Sequence, residues 1–346
     1  MGSTDGATAA ESSVTVLEEV ALKAATSWGL RPKSLSLIKH RENAVYKLLT
    51  DDDRLFALRV HRAGYHSDAA LRSEFVWMQA LGEAGINVPA FLLRNGTELF
   101  ASISHEHLAV PRQVDLLHWI DGDQLGSVEE GLGENTGQIS HIYSVIGETM
   151  ALLHVHSSKW SPPPDFVRHS WDLGGLMGET PFWGRFWELE CLTPQQRGRI
   201  TRARDCAVAQ LSRVSTAPSH FGMIHADLVP ENILLENGQI RIIDFDDAGF
   251  GWYLFDIATA LYFIQDDPNF DVAKSALIEA YQRVRPLSQE DLNTLPLFIL
   301  ARSFTYLGWV HTRAGSPEAR ELAPMLIDMC LDTVSRYEVH RGQTVK

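Results

Sequence analysis

The chain has 346 residues, which is long enough for one large two-lobed unit or for two modest domains that each bury a core. With 45% hydrophobic and 21% charged residues, its composition is that of an ordinary globular protein. Its formal net charge of −14 disfavours nucleic acid and anionic lipid as partners, and we expect neither. Three cysteines without a C-x-x-C spacing indicate neither a disulfide framework nor a zinc site.

The N-terminus has the composition of a disordered tail. Residues 1–13 are rich in Ser, Ala, Gly and acidic residues, and they lack the basic start and apolar core of a signal peptide. No run of eighteen apolar residues occurs, since even the apolar stretch over residues 295–307 contains Arg302. We therefore expect a cytoplasmic protein without a membrane span, and the sequence does not indicate its oligomeric state.

The pattern of the first part of the chain predicts a mainly antiparallel sheet with one inserted helix, preceded by a further helix. Ser67 or Asp68 provides a helix cap, and Asn95-Gly96 marks a turn between strands. The predicted elements are a helix over 14–28, strands over 34–39, 44–50 and 55–61, a helix over 68–83, and strands over 91–93 and 99–104.

The pattern beyond residue 136 is mostly helical, with a Trp-rich region over residues 171–190. A short hairpin over 233–235 and 240–243, around Asn237-Gly238, interrupts it. The predicted class is α+β, and the predicted parts are an N-lobe over 14–116, a hinge and linker over 117–136, and a helical C-lobe over 137–346. The predicted helices of the C-lobe are 138–156, 195–213, 255–264 and 272–283, followed by C-terminal helices.

Three polar residues around this hairpin have the spacing of a kinase catalytic loop. Asn232 follows Asp227 by five positions, and Asp244 ends the hairpin. Phosphoryl transfer needs a carboxylate at the attacking hydroxyl and hard oxygen ligands for Mg²⁺. We predict that Asp227 orients or deprotonates the hydroxyl and that Asn232 and Asp244 hold Mg²⁺ on ATP. We include His225 among the predicted catalytic residues, where it stabilises the loop by hydrogen bonding more than it acts as an acid or base. The alternative is that these side chains cap turns.

Residues 224–261 resemble the aminoglycoside phosphotransferase and choline kinase family, which includes homoserine-kinase-like members. The resemblance is carried by H-A-D-x-x-x-x-N from His225, I-D-F-D-D over 243–247 and D-I-A over 256–258. Ala226 stands where the family has Gly. The resemblance covers most of the chain and implies a protein-kinase-like bilobal fold, ATP as the phosphoryl donor, and a small-molecule hydroxyl as acceptor. By the same analogy, Asp256 caps the helix over 255–264 and ties the catalytic loop from behind.

The resemblance is weaker upstream, where it implies contacts to the nucleotide. Arg59 occupies the strand position of the usual Lys that pairs with the α/β-phosphates and with a helix Glu, here Glu74. The planar guanidinium of Arg59 can still bridge phosphate oxygens and Glu74, but its length and geometry differ from those of a Lys side chain. The alternative is a surface residue on a strand. Asn43 on the first hairpin and Trp119 and Ile120 at the hinge complete the implied nucleotide contacts.

The acceptor stays open among amino alcohols, choline-like compounds, sugars and aminoglycosides. Asp246 and Asp247 are candidates to assist the metal or to attract a cationic substrate. Four tryptophans are candidates for an aromatic pocket wall, with core packing as the alternative. Two other functions are open, a nucleotide-binding pseudokinase scaffold and a protein kinase, and the second is disfavoured by the short segment between Asp244 and Asp256. The four tryptophans are Trp171, Trp183, Trp187 and Trp252.

Overall fold

The computed structural model describes residues 14–40, 43–128 and 130–344, and the predicted tail over residues 1–13 lies outside them. The chain divides into two compact units. The first unit contains the described residues up to 123, with 163–167 and 236–243. The second unit contains 124–162, 168–235 and the described residues from 244 onwards.

The first unit is built on a five-stranded antiparallel sheet with the order β1-β2-β3-β5-β4. Along β2 every second side chain is buried, and this face forms one core with the apolar face of α1. The hydroxyl of Ser67 accepts a hydrogen bond from Ala70 N and so caps α2, as predicted. The elements are α1 Val14–Ser27, β1 Pro32–His40, β2 Ala44–Thr50, β3 Leu55–Val60, α2 Asp68–Glu83, β4 Phe100–Ile103 and β5 Arg112–His118.

Two strand predictions in this unit are wrong for opposite reasons. Residues 91–93 form no strand, because Phe91 makes only an isolated bridge to Leu117. The interior strand β5 is missing from the prediction, although it pairs with both β3 and β4. Its residues 114–117 are buried without alternation, so the run lacks the two-residue period that marks a half-buried strand. This strand also crosses residue 116, where the sequence places the end of the N-lobe.

The second unit is mainly helical, and its predicted helices form with boundary shifts of a few residues. The Trp-rich region differs from the prediction of mostly helix, because only α4 forms there besides a single 3-10 turn. Gly175 has to be glycine, since a Cβ would lie 1.7 Å from the carbonyl oxygen of Ser170. The elements after β5, in chain order and with β10 in the first unit, are β6 Asp123–Gln124, α3 Thr136–Ser157, β7 Ser170–Trp171, α4 Leu173–Met177, α5 Pro194–Leu211, β8 Phe221–Ile224, β9 Ile233–Glu236, β10 Gln239–Ile242, β11 Gly249–Trp252, α6 Tyr253–Tyr262, α7 Phe270–Val284, α8 Gln289–Thr312 and α9 Pro317–Thr344.

A small sheet in the second unit positions the predicted catalytic segment. Strand β11 pairs antiparallel with β8 and parallel with β7. The segment with Asp227 and Asn232 begins where β8 ends, and the segment with Asp244 leads into β11. Both segments are therefore anchored to neighbouring strands of one sheet. None of the helices in the described part of the chain has the length and apolar composition needed to cross a membrane.

Candidate active site

The catalytic loop begins in a strained conformation. Ala226 has φ of +63°, a left-handed conformation that costs an L-residue roughly 1–2 kcal/mol and that glycine adopts freely. The carboxylate of Asp256 accepts hydrogen bonds from the backbone N–H groups of His225 and Ala226, at 3.0 and 2.6 Å. These two buried bonds hold the loop in the shape that the usual glycine would adopt without strain.

Asp227 is held through both of its carboxylate oxygens. Asn232 Nδ2 donates to the Asp227 carbonyl at 2.8 Å and to Oδ2 at 2.9 Å. Arg302 Nη2 donates to Oδ1 at 3.2 Å. The side chain of Asp227 is 27% exposed, so a hydroxyl group from solution has access to it.

His225 lies behind this carboxylate. It is fully buried, and its Nδ1 accepts a hydrogen bond of 3.3 Å from the backbone N–H of Asp227. The ring also packs against Phe245, with 4.8 Å between ring centroids. These contacts stabilise the loop that carries Asp227, and a role for His225 in the chemistry stays a prediction.

A buried arginine shapes the segment that carries Asp244. Arg168 donates from Nε to the carbonyl of Ala248 at 2.6 Å and from Nη2 to those of Phe245 and Asp246, at 3.2 and 2.5 Å. Asp244 itself has φ of +65°, a conformation that Asp tolerates better than most residues. Because one rigid guanidinium holds three carbonyl groups, the turn after Asp244 is fixed from inside the second unit.

Asp256 belongs to a buried chain of hydrogen bonds. Tyr281 OH accepts from Arg285 Nη1 at 2.9 Å, so its own proton points to His154 Nδ1, also at 2.9 Å. His154 Nε2 then donates to Asp256 at 3.0 Å. Burial lowers the pKa of His154 despite the opposing carboxylate, in keeping with a neutral ring. The predicted helix cap is wrong, since α6 begins at Tyr253 and Asp256 lies within its first turn, but the predicted tie to the catalytic loop is present.

The predicted metal ligands have suitable chemistry for Mg²⁺. Because Nδ2 of Asn232 is engaged by Asp227, its Oδ1 remains as a hard oxygen donor, and Asp244 offers a carboxylate. In the described residues, no three His, Cys, Asp or Glu side chains gather into a metal site. A site built on one amide and one carboxylate is typical of Mg²⁺, which takes its other ligands from water and nucleotide phosphates.

The tryptophans near the site contribute mainly to the core. Trp171, Trp183 and Trp252 are at most 5% exposed, which favours packing over a pocket wall. The fourth, Trp187, stacks with Arg204, whose guanidinium carbon lies 4.0 Å from the ring centroid.

In the first unit Arg59 binds Glu74, as predicted, and it also binds Asp115. Nη1 of Arg59 donates to Glu74 at 2.9 Å, while Nε and Nη2 form a bidentate pair with Asp115 at 2.8 and 2.7 Å. His61 Nε2 also lies 2.9 Å from Asp115. Arg59 is 7% exposed, so the alternative of a surface residue is wrong. All three guanidinium nitrogens thus meet protein carboxylates, and a contact with phosphate stays a prediction.

Removal of Asp115 should destabilise the first unit strongly. Burial alone would raise the pKa of Asp115, but Arg59 and His61 hold it well below its usual range. We expect Asp115→Asn to lower the free energy of unfolding by about 3–5 kcal/mol at pH 7, because it leaves a buried guanidinium short of a counter-charge. Urea unfolding measures this loss.

The stability loss in Asp115→Asn can be compared with that of a matched control, and it should depend on pH. Asp53→Asn breaks the exposed pair with Lys33 and should leave stability nearly unchanged. A depressed folded-state pKa stabilises the protein above the unfolded value of about 3.9, so the difference between Asp115→Asn and the unsubstituted protein should shrink as the pH falls below about 4. Equal urea midpoints at pH 7 would contradict the assigned role of Asp115.

The other predicted nucleotide contacts also lie in the first unit. Asn43 is 8% exposed, and its Oδ1 accepts a hydrogen bond of 3.2 Å from the backbone N–H of Arg62. Trp119 has Lys47 Nζ 4.4 Å above its ring centroid, and Ile120 beside it is half-buried. The structure thus brings Asp227 and Asn232 into direct contact, and it shows Arg59 paired with Glu74.

Comparison with known proteins identifies the family to which the chain belongs. Residues 34–287 match the profile of the APH phosphotransferase enzyme family. A solved microcompartment-associated aminopropanol kinase has a TM-score of 0.80 at 30% identity, with 94% of this chain and 98% of that one covered. Amicoumacin kinase of Bacillus subtilis (strain 168) is 24% identical over 255 residues, which are 71% of this chain and 67% of that protein.

A second solved structure shares the fold. It is amicoumacin kinase hAmiN in complex with AMP-PNP, Ca²⁺ and Ami, with a TM-score of 0.72 at 18% identity and coverage of 96% of each chain. The profile match spans more than half of the residues. The chain therefore belongs to the phosphotransferase enzyme family, a family of small-molecule kinases with a protein-kinase-like α+β fold.

Proposed function

We propose that this enzyme uses ATP and Mg²⁺ to phosphorylate a hydroxyl group of a small amino alcohol. The observation that supports it most is the contact of Asn232 with both the main-chain carbonyl and the carboxylate of Asp227. That contact joins the two residues whose spacing is typical of kinase catalytic loops. As part of the same proposal, the enzyme works in the cytoplasm, and Arg59, Glu74, Asn43, Trp119 and Ile120 contribute to nucleotide binding.

Asp227 performs the acid-base step in this proposal. Its partly exposed carboxylate accepts the proton of the acceptor hydroxyl while the hydroxyl oxygen forms a bond to the γ-phosphorus of ATP. The bond from the γ-phosphorus to the bridging oxygen breaks, and ADP leaves with the electron pair of that bond. Asp227 then releases the proton to solvent.

Asn232 and Asp244 would hold Mg²⁺ through the amide oxygen and the carboxylate. When bound, the ion neutralises negative charge on the phosphates during transfer. The chain itself fixes these two ligands beforehand. Asn232 is fixed by its bonds to Asp227, and Arg168 fixes the turn after Asp244.

The acceptor class rests on a likeness that spans nearly the whole chain. The aminopropanol kinase shares 30% identity and almost its full length with this protein, which favours an amino alcohol over a sugar or an aminoglycoside. An ammonium group on the acceptor also suits a chain with a formal net charge of −14.

The test is ADP release by the purified protein with Mg²⁺·ATP and a panel of acceptors. The panel contains 1-amino-2-propanol, ethanolamine, homoserine, choline, glucose and kanamycin. We expect stimulation by an amino alcohol, and loss of that stimulation when EDTA removes Mg²⁺. Stimulation by glucose or kanamycin alone would reject the amino alcohol, and nucleotide binding without any turnover would favour a pseudokinase.

A further inference from the structure

Arg302 is a charged residue in the middle of the apolar helix α8. It is fully buried, as are its neighbours Leu300, Ala301 and Phe304. Moving a guanidinium out of water costs several kcal/mol, so buried charges are found with partners. The partner of Arg302 is the predicted catalytic carboxylate, since Nη2 donates to Asp227 Oδ1 at 3.2 Å.

Three aromatic rings, Trp183, Phe255 and Tyr306, form a box around this guanidinium. Their ring centroids lie 5.1, 5.5 and 4.4 Å from its central carbon. Nη2 also donates to Tyr306 OH at 2.8 Å, while Nε and Nη1 find no acceptor in the described part of the chain. Burial raises the pKa of Tyr306 to about 12, so this hydroxyl keeps its proton. The rings thus surround the guanidinium, and Nη2 makes the hydrogen bonds of Arg302 to Asp227 and Tyr306.

The carboxylate of Asp227 is consequently held from two sides. Arg302 binds Oδ1, and Asn232 binds Oδ2. Two donors on two oxygens fix the rotation of the carboxylate about its bond to Cβ, which a single donor would leave free. The charge of Asp247 also acts on Arg302, so the guanidinium offsets negative charge from a second carboxylate.

We propose that Arg302 is a positioning residue for phosphoryl transfer, one that holds the Asp227 carboxylate in the orientation that receives the hydroxyl proton. This inference rests on the proposed function and deepens it. Direct contact with the acceptor is disfavoured, because Arg302 has no exposed surface while Asp227 is 27% exposed. Misplacement of a reacting group by about 1 Å costs on the order of 100-fold in rate.

The test compares kcat and KM of Arg302→Met and Arg302→Lys, by ADP release with 1-amino-2-propanol and with water as the acceptor. We expect Arg302→Met to lower kcat about 100-fold with both acceptors and to leave KM for the amino alcohol unchanged. Arg302→Lys should restore part of kcat. Arg204→Met is the matched control, because Arg204 is also mostly buried and stacked on a tryptophan, but it donates to the carbonyl groups of Met177 and Gly178 and to the exposed carboxylate of Glu179.

A double-mutant cycle with Asp227→Asn separates this inference from the proposed function. If Arg302 acts through Asp227, Arg302→Met should have little further effect on kcat in the Asp227→Asn background. Additive losses, or a raised KM with unchanged kcat, would overturn the positioning role. Full activity of Asp227→Asn alone would instead overturn the proposed function.

A milder variant covers the case in which Arg302→Met does not fold. Tyr306→Phe removes only the hydroxyl that accepts from Nη2 and keeps the aromatic box. It should lower kcat without a change in KM, and it should have little effect in the Asp227→Asn background. An unchanged kcat in Tyr306→Phe, with the protein folded, would also count against the positioning role.

Discussion

Asp227→Asn is expected to lower kcat by about 10²–10⁴-fold and to leave the affinity for Mg²⁺·ATP nearly unchanged. An amide cannot take up the hydroxyl proton, but it fills the same space as the carboxylate. Asn is preferable to Ala here, because Ala would leave the buried guanidinium of Arg302 without any partner at this position. Steady-state kinetics with the best acceptor and titration with Mg²⁺·AMP-PNP measure the two quantities.

The control for this variant is Asp205→Asn, which makes the same chemical change on the exposed face of α5. It should keep full activity. A kcat of Asp227→Asn equal to that of the unsubstituted protein would reject Asp227 as the proton acceptor. A parallel loss of nucleotide affinity would indicate that Asp227 acts in binding, and the assignment of Asn232 and Asp244 as metal ligands would then need revision.

Local signals in the sequence predict the parts of the site that are close together in the chain. The spacing of Asp227 and Asn232 predicts a contact that the structure shows, because an offset of five positions lets the loop fold back and bring the two side chains together. The position of helix α2 is predicted, with Ser67 as one of two candidate caps, since the cap and the apolar face are both local. These features need no knowledge of the tertiary structure.

The supporting residues come from distant parts of the chain, and no spacing rule reaches them. Arg302 is separated from Asp227 by 75 positions, and Arg168 from Phe245 by 77. A usable signal did exist in two cases, where a charged residue interrupts an apolar run. Arg302 lies within residues 295–307, and Asp115 within 114–117. Such a residue is buried with its run and must find a partner, although the sequence alone does not identify which one.

Asp256→Ala is expected to lower the free energy of unfolding by about 3–5 kcal/mol and to remove most of the activity. The carboxylate is fully buried, and it accepts hydrogen bonds from His225 N, Ala226 N and His154 Nε2. Three buried donors would lose their acceptor at once, at about 1–3 kcal/mol for each that stays unsatisfied. Urea unfolding at pH 7 and kcat at saturating substrate measure the two effects.

Thr259→Val is the matched control on the same helix. It removes a buried hydrogen bond within α6, from the Thr259 hydroxyl to the carbonyl of Phe255, and should cost only about 1 kcal/mol. The loss in Asp256→Ala should exceed it because the bonds from the backbone N–H groups of His225 and Ala226 to Asp256 hold Ala226 in its left-handed conformation. Ala226→Gly added to Asp256→Ala should therefore recover part of the stability. Without such recovery, Asp256 would stabilise the fold independently of the loop that carries Asp227.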